Sequence, residues 1–70
     1  MKALLIVDCT DSMLWYAGYI GEVVPFLKEF EECYMSRERA GYSNIVHKKD
    51  AIFVEVPEDS ALFQLIKKWL

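Results

Sequence analysis

Apolar and polar residues are spaced in one way up to residue 56 and in another way after Pro57. Before Pro57, short apolar segments separated by turn residues predict five β-strands, at 2–8, 20–30, 33–38, 42–47 and 52–56. The first segment, KALLIVD, is too apolar for a strand with one face in water, so we expect it to be covered on both faces. Pro25 interrupts the second segment, and because proline cannot donate to a ladder, this strand should bend or lie at an edge.

Residues 58–70 carry apolar side chains at helical spacing. Four of these side chains share one helix face because they fall at i, i+3, i+4 and i+7: Leu62, Leu65, Ile66 and Trp69. Acidic and capping residues precede them at 58–60, and Lys67 and Lys68 follow, as the helix macrodipole favours. The spacing therefore predicts an amphipathic helix over 58–70. Its wide apolar face indicates that it covers its own domain, with Phe53 beneath it, or binds a partner.

The order of these elements predicts the fold class. A strand, an aromatic loop at 14–19, a long bent strand, two hairpin strands, a 3₁₀ turn at 48–51 and a last strand follow the order of a small SH3-like barrel. We therefore predict a mainly β protein, with a five-stranded SH3-like β-barrel over residues 1–57. A C-terminal α-helix over 58–70 then packs on the barrel or on a partner.

Size and composition narrow the class of protein further. A chain of 70 residues, 54% hydrophobic and 27% charged, fits one globular domain whose core needs additional stabilisation at this length. Only Cys9 and Cys33 could form a disulfide, and with no secretory signal before them we expect reduced thiols in a cytoplasmic protein. The sequence contains no cluster of cysteine and histidine, so no metal or cofactor is predicted. A homodimer is the favoured source of the missing stability.

Charge and hydropathy argue against two classes of partner. The net charge of −3 and the scattered lysines disfavour sequence-independent binding to nucleic acid, which normally requires a basic face. The longest apolar run, residues 3–7, is far too short to span a bilayer, so no membrane contact is predicted. We therefore expect a protein partner, which is either another protein or a second copy of the chain.

Two stretches of the sequence resemble a known family. WYAGYIGEVV at 15–24 and GYSNIVHKKDAIFVEV at 41–56 carry motifs similar to those of small SH3-like proteins of phages and prophages of Gram-positive bacteria. The matching positions are Trp15, Tyr16, Ile20, Gly21, Tyr34, Gly41, Lys49, Asp50 and Ala51. The resemblance covers residues 1–56 and implies an SH3-like fold in a protein that acts in a bacterial host. GYIGEV at 18–23 also resembles the glycine pattern of ribosomal KOW modules, which implies RNA binding as an alternative.

The candidate catalytic residues each have a structural explanation. Asp8 and Asp11 could form a pair of carboxylates, but they stand at a strand end and in a turn, where aspartate is common. His47 has neither a second histidine nor a nucleophile motif beside it, and Cys9 and Cys33 lack an adjacent basic residue. We therefore predict that the protein is not an enzyme.

Aromatic side chains are the candidate binding residues. Five of them lie in or beside loops and strand ends: Trp15, Tyr16, Tyr19, Tyr34 and Tyr42. Such positions line the peptide groove of an SH3-like barrel, and tyrosine and tryptophan anchor interfaces well. The helix face with Leu62, Leu65, Ile66 and Trp69 is the candidate homodimer interface. The predicted function is a non-enzymatic protein-binding module of phage or prophage origin that inhibits or modulates a host protein. The alternative is a KOW-like nucleic-acid-associated protein.

Overall fold

The computed structural model describes residues 1–70 as six β-strands, two 3₁₀ turns and one α-helix. The strands are β1 (Lys2–Ile6), β2 (Val23–Pro25), β3 (Lys28–Glu29), β4 (Cys33–Arg37), β5 (Ser43–His47) and β6 (Ala51–Glu55). The 3₁₀ turns are Ala17–Tyr19 and Lys48–Asp50, and the helix, α1, is Ala61–Trp69. The predicted mainly β class with a C-terminal helix is therefore confirmed.

The strands form two antiparallel sheets rather than one closed barrel. The first sheet has the order β2-β1-β6 and the second has the order β3-β4-β5. The prediction of five strands was wrong because the segment 20–30 contains two strands, β2 and β3, which belong to different sheets. Pro25 ends β2, its carbonyl oxygen accepts the Ser36 hydroxyl at 2.6 Å, and the Leu27 N–H already donates to Met35 in the second sheet. The predicted bend is thus the point where the chain changes sheet.

Strand β1 is covered on both faces, as its apolar sequence predicted. On one face Leu4 and Ile6 lie in the main core between the sheets, together with Tyr16, Val24, Tyr34, Val46 and Ala51. On the other face Ala3 packs with Val56 and with Ile66 of α1. Both faces of the first sheet are therefore occupied, one by the second sheet and one by the helix.

Helix α1 begins at Ala61 rather than at 58 because the preceding residues form a turn. The Ser60 N–H donates to the Pro57 carbonyl, and the Ser60 hydroxyl caps the helix by accepting the Phe63 N–H at 3.1 Å. Phe53 is not beneath the helix, contrary to expectation, because Phe53 points to the opposite face and packs on Phe26 and Tyr34. No helix of the chain has the length and hydropathy to cross a bilayer.

A tight turn with a bulge joins the first 3₁₀ turn to β2. The Glu22 N–H donates to Tyr19 at 2.8 Å, and Ile20 and Gly21 have the dihedrals of a type II turn, with a φ of 87° at Gly21. Opposite Ile6 on β1, the Gly21 N–H donates to the Ile6 carbonyl and the Ile6 N–H donates to Glu22, which is the pattern of a G1 bulge. The turn aims β2 into the first sheet.

Replacing Gly21 by alanine should lower the free energy of unfolding by about 1–2 kcal/mol, because a side chain at a φ of 87° is strained. Gly18→Ala is the matched control, since a Cβ at Gly18 meets open space and its φ is not positive. Urea denaturation of both variants measures the difference. Equal stability of the two variants would contradict the turn assignment.

Candidate functional site

The loop before β2 folds over the outer edge of β5. The Trp15 indole Nε1 donates to the Ile45 carbonyl at 2.7 Å, and the His47 N–H donates to the Tyr16 hydroxyl at 3.2 Å. These bonds satisfy backbone groups of an edge strand that would otherwise be open to another chain. Trp15 and Tyr16 therefore hold the two sheets and the loop together.

Asp50 is a fully buried carboxylate at the centre of this loop contact. Its Oδ2 accepts the Tyr16 hydroxyl at 2.6 Å and both the hydroxyl and the N–H of Thr10, at 3.2 and 3.4 Å. The Asp50 carbonyl also accepts the N–H groups of Val7 and Asp8. Burial, together with the hydrogen bond to the Asp50 carboxylate, raises the pKa of Tyr16 far above its ordinary value. The cluster of Thr10, Tyr16 and Asp50 thus joins the loop, β1 and the second 3₁₀ turn.

The raised pKa of Tyr16 predicts a loss of stability in alkaline solution. The folded protein holds the phenolic proton more tightly than the unfolded chain, so this contribution is complete below about pH 10, the ordinary tyrosine value, and falls above it. The expected slope is about 1.4 kcal/mol per pH unit. Urea denaturation between about pH 8 and 11 should show this component in the native protein and not in Tyr16→Phe. Parallel pH dependences of the two proteins would contradict it.

The five predicted aromatic binding residues do not line one groove. Tyr16 and Tyr34 are buried in the main core and offer almost no surface to a partner, because their rings fill the space between the sheets. Trp15 and Tyr19 are partly buried against that core, with ring centres 5.8 Å apart. Only Tyr42, in the β4–β5 loop, is largely exposed, at 71%.

The four predicted interface residues of the helix divide between two environments. Ile66 is buried against the first sheet of its own chain, and the Trp69 ring lies 6.0 Å from that of Tyr19. Leu62 and Leu65 remain exposed, Leu65 at 56%. The helix therefore docks on its own domain by one side and presents a second apolar strip to solvent.

That strip forms one wall of a groove of about 280 Å³ between α1 and the start of β2. The groove, called the α1–β2 groove below, is lined by Gly21, Glu22, Val23, Arg39, Leu62, Leu65, Ile66 and Trp69. The Arg39 guanidinium lies 4.2 Å from the Trp69 ring centre and makes no ion pair. The groove thus combines an apolar lining with two charged groups that make no ion pair, the Glu22 carboxylate and the Arg39 guanidinium. The Arg39 guanidinium suits a partner's apolar side chain next to a carboxylate.

A second surface feature is an aromatic group in which Phe53 is exposed, Phe26 is partly buried and Tyr34 is buried. The Phe26, Tyr34 and Phe53 rings contact one another, with centres 4.8 to 6.0 Å apart. The Lys2 ammonium lies 4.5 Å from the Phe53 ring centre, and Lys28 lies 5.3 Å from that of Phe30. Single-stranded nucleic acid binds to surfaces of this kind, because its bases stack on aromatic rings and its phosphates pair with cations.

The candidate catalytic residues divide into two aspartates in turns and a cross-strand pair of cysteine and histidine. The Asp8 and Asp11 carboxylates accept the N–H groups of Cys9 and Met13, which is the turn role expected of them. Cys33 and His47 are direct cross-strand neighbours on β4 and β5. No set of three or more histidine, cysteine, aspartate or glutamate side chains is arranged to hold a metal ion.

The roles of two residues of these sites could not be identified from the sequence, although Asp50 stands at one of the motif positions. Asp50 follows two lysines in a polar stretch, so nothing in the sequence signals that it is buried. Arg39 lies in a hairpin loop 30 residues before Trp69, and only the packing of α1 brings the two together.

Comparison of the chain with models of protein families, with curated proteins and with solved structures found no match.

Proposed function

We propose that the protein is a non-enzymatic binding module that holds a segment of another protein in the α1–β2 groove. The observation that carries this proposal is the exposed apolar strip of Leu62 and Leu65, which lines a groove together with Val23. An exposed apolar groove rimmed by charged residues is a common mark of a protein-binding site. An SH3-like relationship and a phage or prophage origin, with action on a host protein in the bacterial cytoplasm, complete the proposal. The motifs at 15–24 and 41–56 support that part.

The chemistry of the groove defines the kind of segment that would fit. Leu62, Leu65 and Val23 favour one large aliphatic or aromatic side chain of the partner. Arg39 is held over Trp69 and is free to pair with a carboxylate at the edge of the same groove. A partner segment with an apolar anchor next to Asp or Glu therefore satisfies both requirements.

Selection of peptides from a random display library on the immobilised protein tests this proposal. We expect selected peptides to share a large apolar residue beside an acidic one. Leu65→Lys should weaken their binding at least about tenfold, because it places a charge in the apolar wall. Arg39→Ala should weaken only the acidic peptides. Tyr42→Ala, an exposed aromatic outside the groove, is the control and should bind normally.

Peptides that bind Leu65→Lys as tightly as the native protein would overturn the proposal, and so would a selection that yields no binder. A change of oligomeric state on Leu65→Lys would identify the occupant as a second copy of the chain, as the sequence predicted for the helix face.

Nucleic-acid binding of the KOW-like kind is the second candidate, favoured by the lysines beside Phe53 and Phe30. The net charge of −3 opposes it, so we expect only weak binding to single-stranded RNA or DNA that is lost at about 200 mM salt. A gel shift at low and high salt measures this. Binding that persists at high salt and falls in Lys2→Ala with Lys28→Ala would favour this candidate over the first.

A further inference from the structure

The outer edge of β6 carries backbone groups that bond to nothing. The Ile6 N–H of β1 donates to Glu22 beside β2. The backbone N–H and C=O groups of the even residues of β1 therefore point to β2, and those of the odd residues point to β6. In the β1–β6 register, Ala3 and Leu5 lie opposite Val54 and Ile52, which are therefore the residues of β6 that bond inward. The N–H and C=O groups of the alternate residues, Phe53 and Glu55, point away from β1, and neither forms a hydrogen bond outside the ladder.

The other strand edges of the molecule are protected. Trp15 and Tyr16 bond to the edge of β5. Strand β2 ends in Pro25, which has no N–H and whose carbonyl accepts Ser36. Strand β3 is only two residues long and carries Lys28. Strand β6 is five residues long and mostly apolar, and it contains neither a proline nor a lysine. No side chain bonds to its outer edge.

We propose that β6 pairs with β6 of a second copy of this chain, which joins the two first sheets into one six-stranded antiparallel sheet. A second copy offers only its own β6 as an open edge, so the contact uses the same strand from both molecules. Antiparallel pairing of a strand with itself about a two-fold axis is the closed, isologous arrangement that most dimers use. This dimer leaves the α1–β2 groove free, and it stands independently of the proposed function.

Full overlap of the two strands fixes a self-complementary register. Phe53 lies on the axis opposite its own copy, so the outward groups of the two Phe53 residues bond to each other. The Glu55 N–H then donates to the Ala51 carbonyl of the copy, while the Ala51 N–H stays bonded to Lys48 of its own chain. Ile52, which is 52% exposed, then lies opposite Val54 of the copy on the face of the sheet that carries α1. Glu55 lies opposite Ala51 of the copy, so no like charges are paired. The exposed apolar side chains along this edge, Ile52 and Phe53, are those that the pairing would cover.

Hydrogen exchange of single amides, followed by NMR at increasing protein concentration, tests the proposal directly. The Phe53 and Glu55 amides should exchange quickly in dilute solution and become protected at least about tenfold as the protein concentration rises. The Ile52 and Val54 amides are internal controls, because they bond to β1 and should be protected at every concentration. Fast exchange of Phe53 and Glu55 at millimolar protein would overturn the proposal.

Sedimentation equilibrium of two lysine variants locates the contact independently. Ile52→Lys should shift the protein to monomer, because a lysine on an edge strand opposes pairing. Leu65→Lys, an equal change on the exposed side of α1, should leave the dimer intact. A native protein that sediments at 8.2 kDa up to millimolar concentration would overturn the proposal. So would a dimer lost with Leu65→Lys and kept with Ile52→Lys, because that contact would lie on the helix.

Discussion

Deletion of residues 58–70 is expected to leave a chain that no longer folds cooperatively. The helix buries Ile66 and part of Phe63 on Ala3, Val54 and Val56 of the first sheet. Burial of one large apolar side chain contributes about 1.5–3 kcal/mol. A single core in a domain this small rarely supplies more than about 3–5 kcal/mol in total. Circular dichroism during heating should therefore show no cooperative transition in the shortened chain.

Two single substitutions give the same test without removing the helix. Ile66→Ala should cost about 2–5 kcal/mol of unfolding free energy, because it leaves a cavity between α1 and the first sheet. Leu65→Ala, one residue away but exposed, should change stability by no more than about 0.5 kcal/mol. A shortened chain that melts at the full-length temperature would contradict the docking of α1, as would equal effects of the two alanine variants.

Removal of the Tyr16 hydroxyl is the second change with a large expected effect. Tyr16→Phe deprives the buried Asp50 carboxylate of its shortest hydrogen bond, at 2.6 Å, and leaves the His47 N–H without its acceptor. A hydrogen bond to a charged group contributes about 1.5–3 kcal/mol, and the partly buried N–H left unpaired adds a smaller cost. We therefore expect a loss of at least about 2 kcal/mol by urea denaturation.

Tyr42→Phe is the matched control, because it removes the same hydroxyl from an exposed ring that makes no hydrogen bond through its side chain. It should not alter stability measurably. A double-mutant cycle of Tyr16→Phe with Thr10→Val should show coupling of more than about 0.5 kcal/mol, since both hydroxyls donate to Asp50 Oδ2. Additive effects of the two substitutions would mean that the Asp50 cluster does not act as one unit.

The sequence by itself determined the local elements of this protein. The spacing of apolar residues and the positions of turn-forming residues located β1, β4, β5, β6 and the Lys48–Asp50 turn to within two residues. They also gave the C-terminal helix, with acidic and capping residues expected at 58–60, of which Ser60 is the N-cap. The unbroken apolar run of β1 correctly indicated cover on both faces, and Pro25 correctly indicated a bend. These features depend on residues close together in the chain, whose conformational preferences hold wherever the segment lies.

Only the tertiary structure decided which side chains remain available for binding. Tyr16, Tyr34 and Tyr42 were predicted to bind a partner on the same grounds, as aromatic residues near loops and strand ends. The sheets bury the first two and leave the third exposed to water. The helix face with Leu62, Leu65, Ile66 and Trp69 was one stripe in sequence, but docking turned Ile66 inward and left Leu65 outside. Burial of Asp50 and the stacking of Arg39 on Trp69 join residues distant in sequence. Contacts of this kind depend on how the sheets and the helix pack, and local spacing carries no information about that packing.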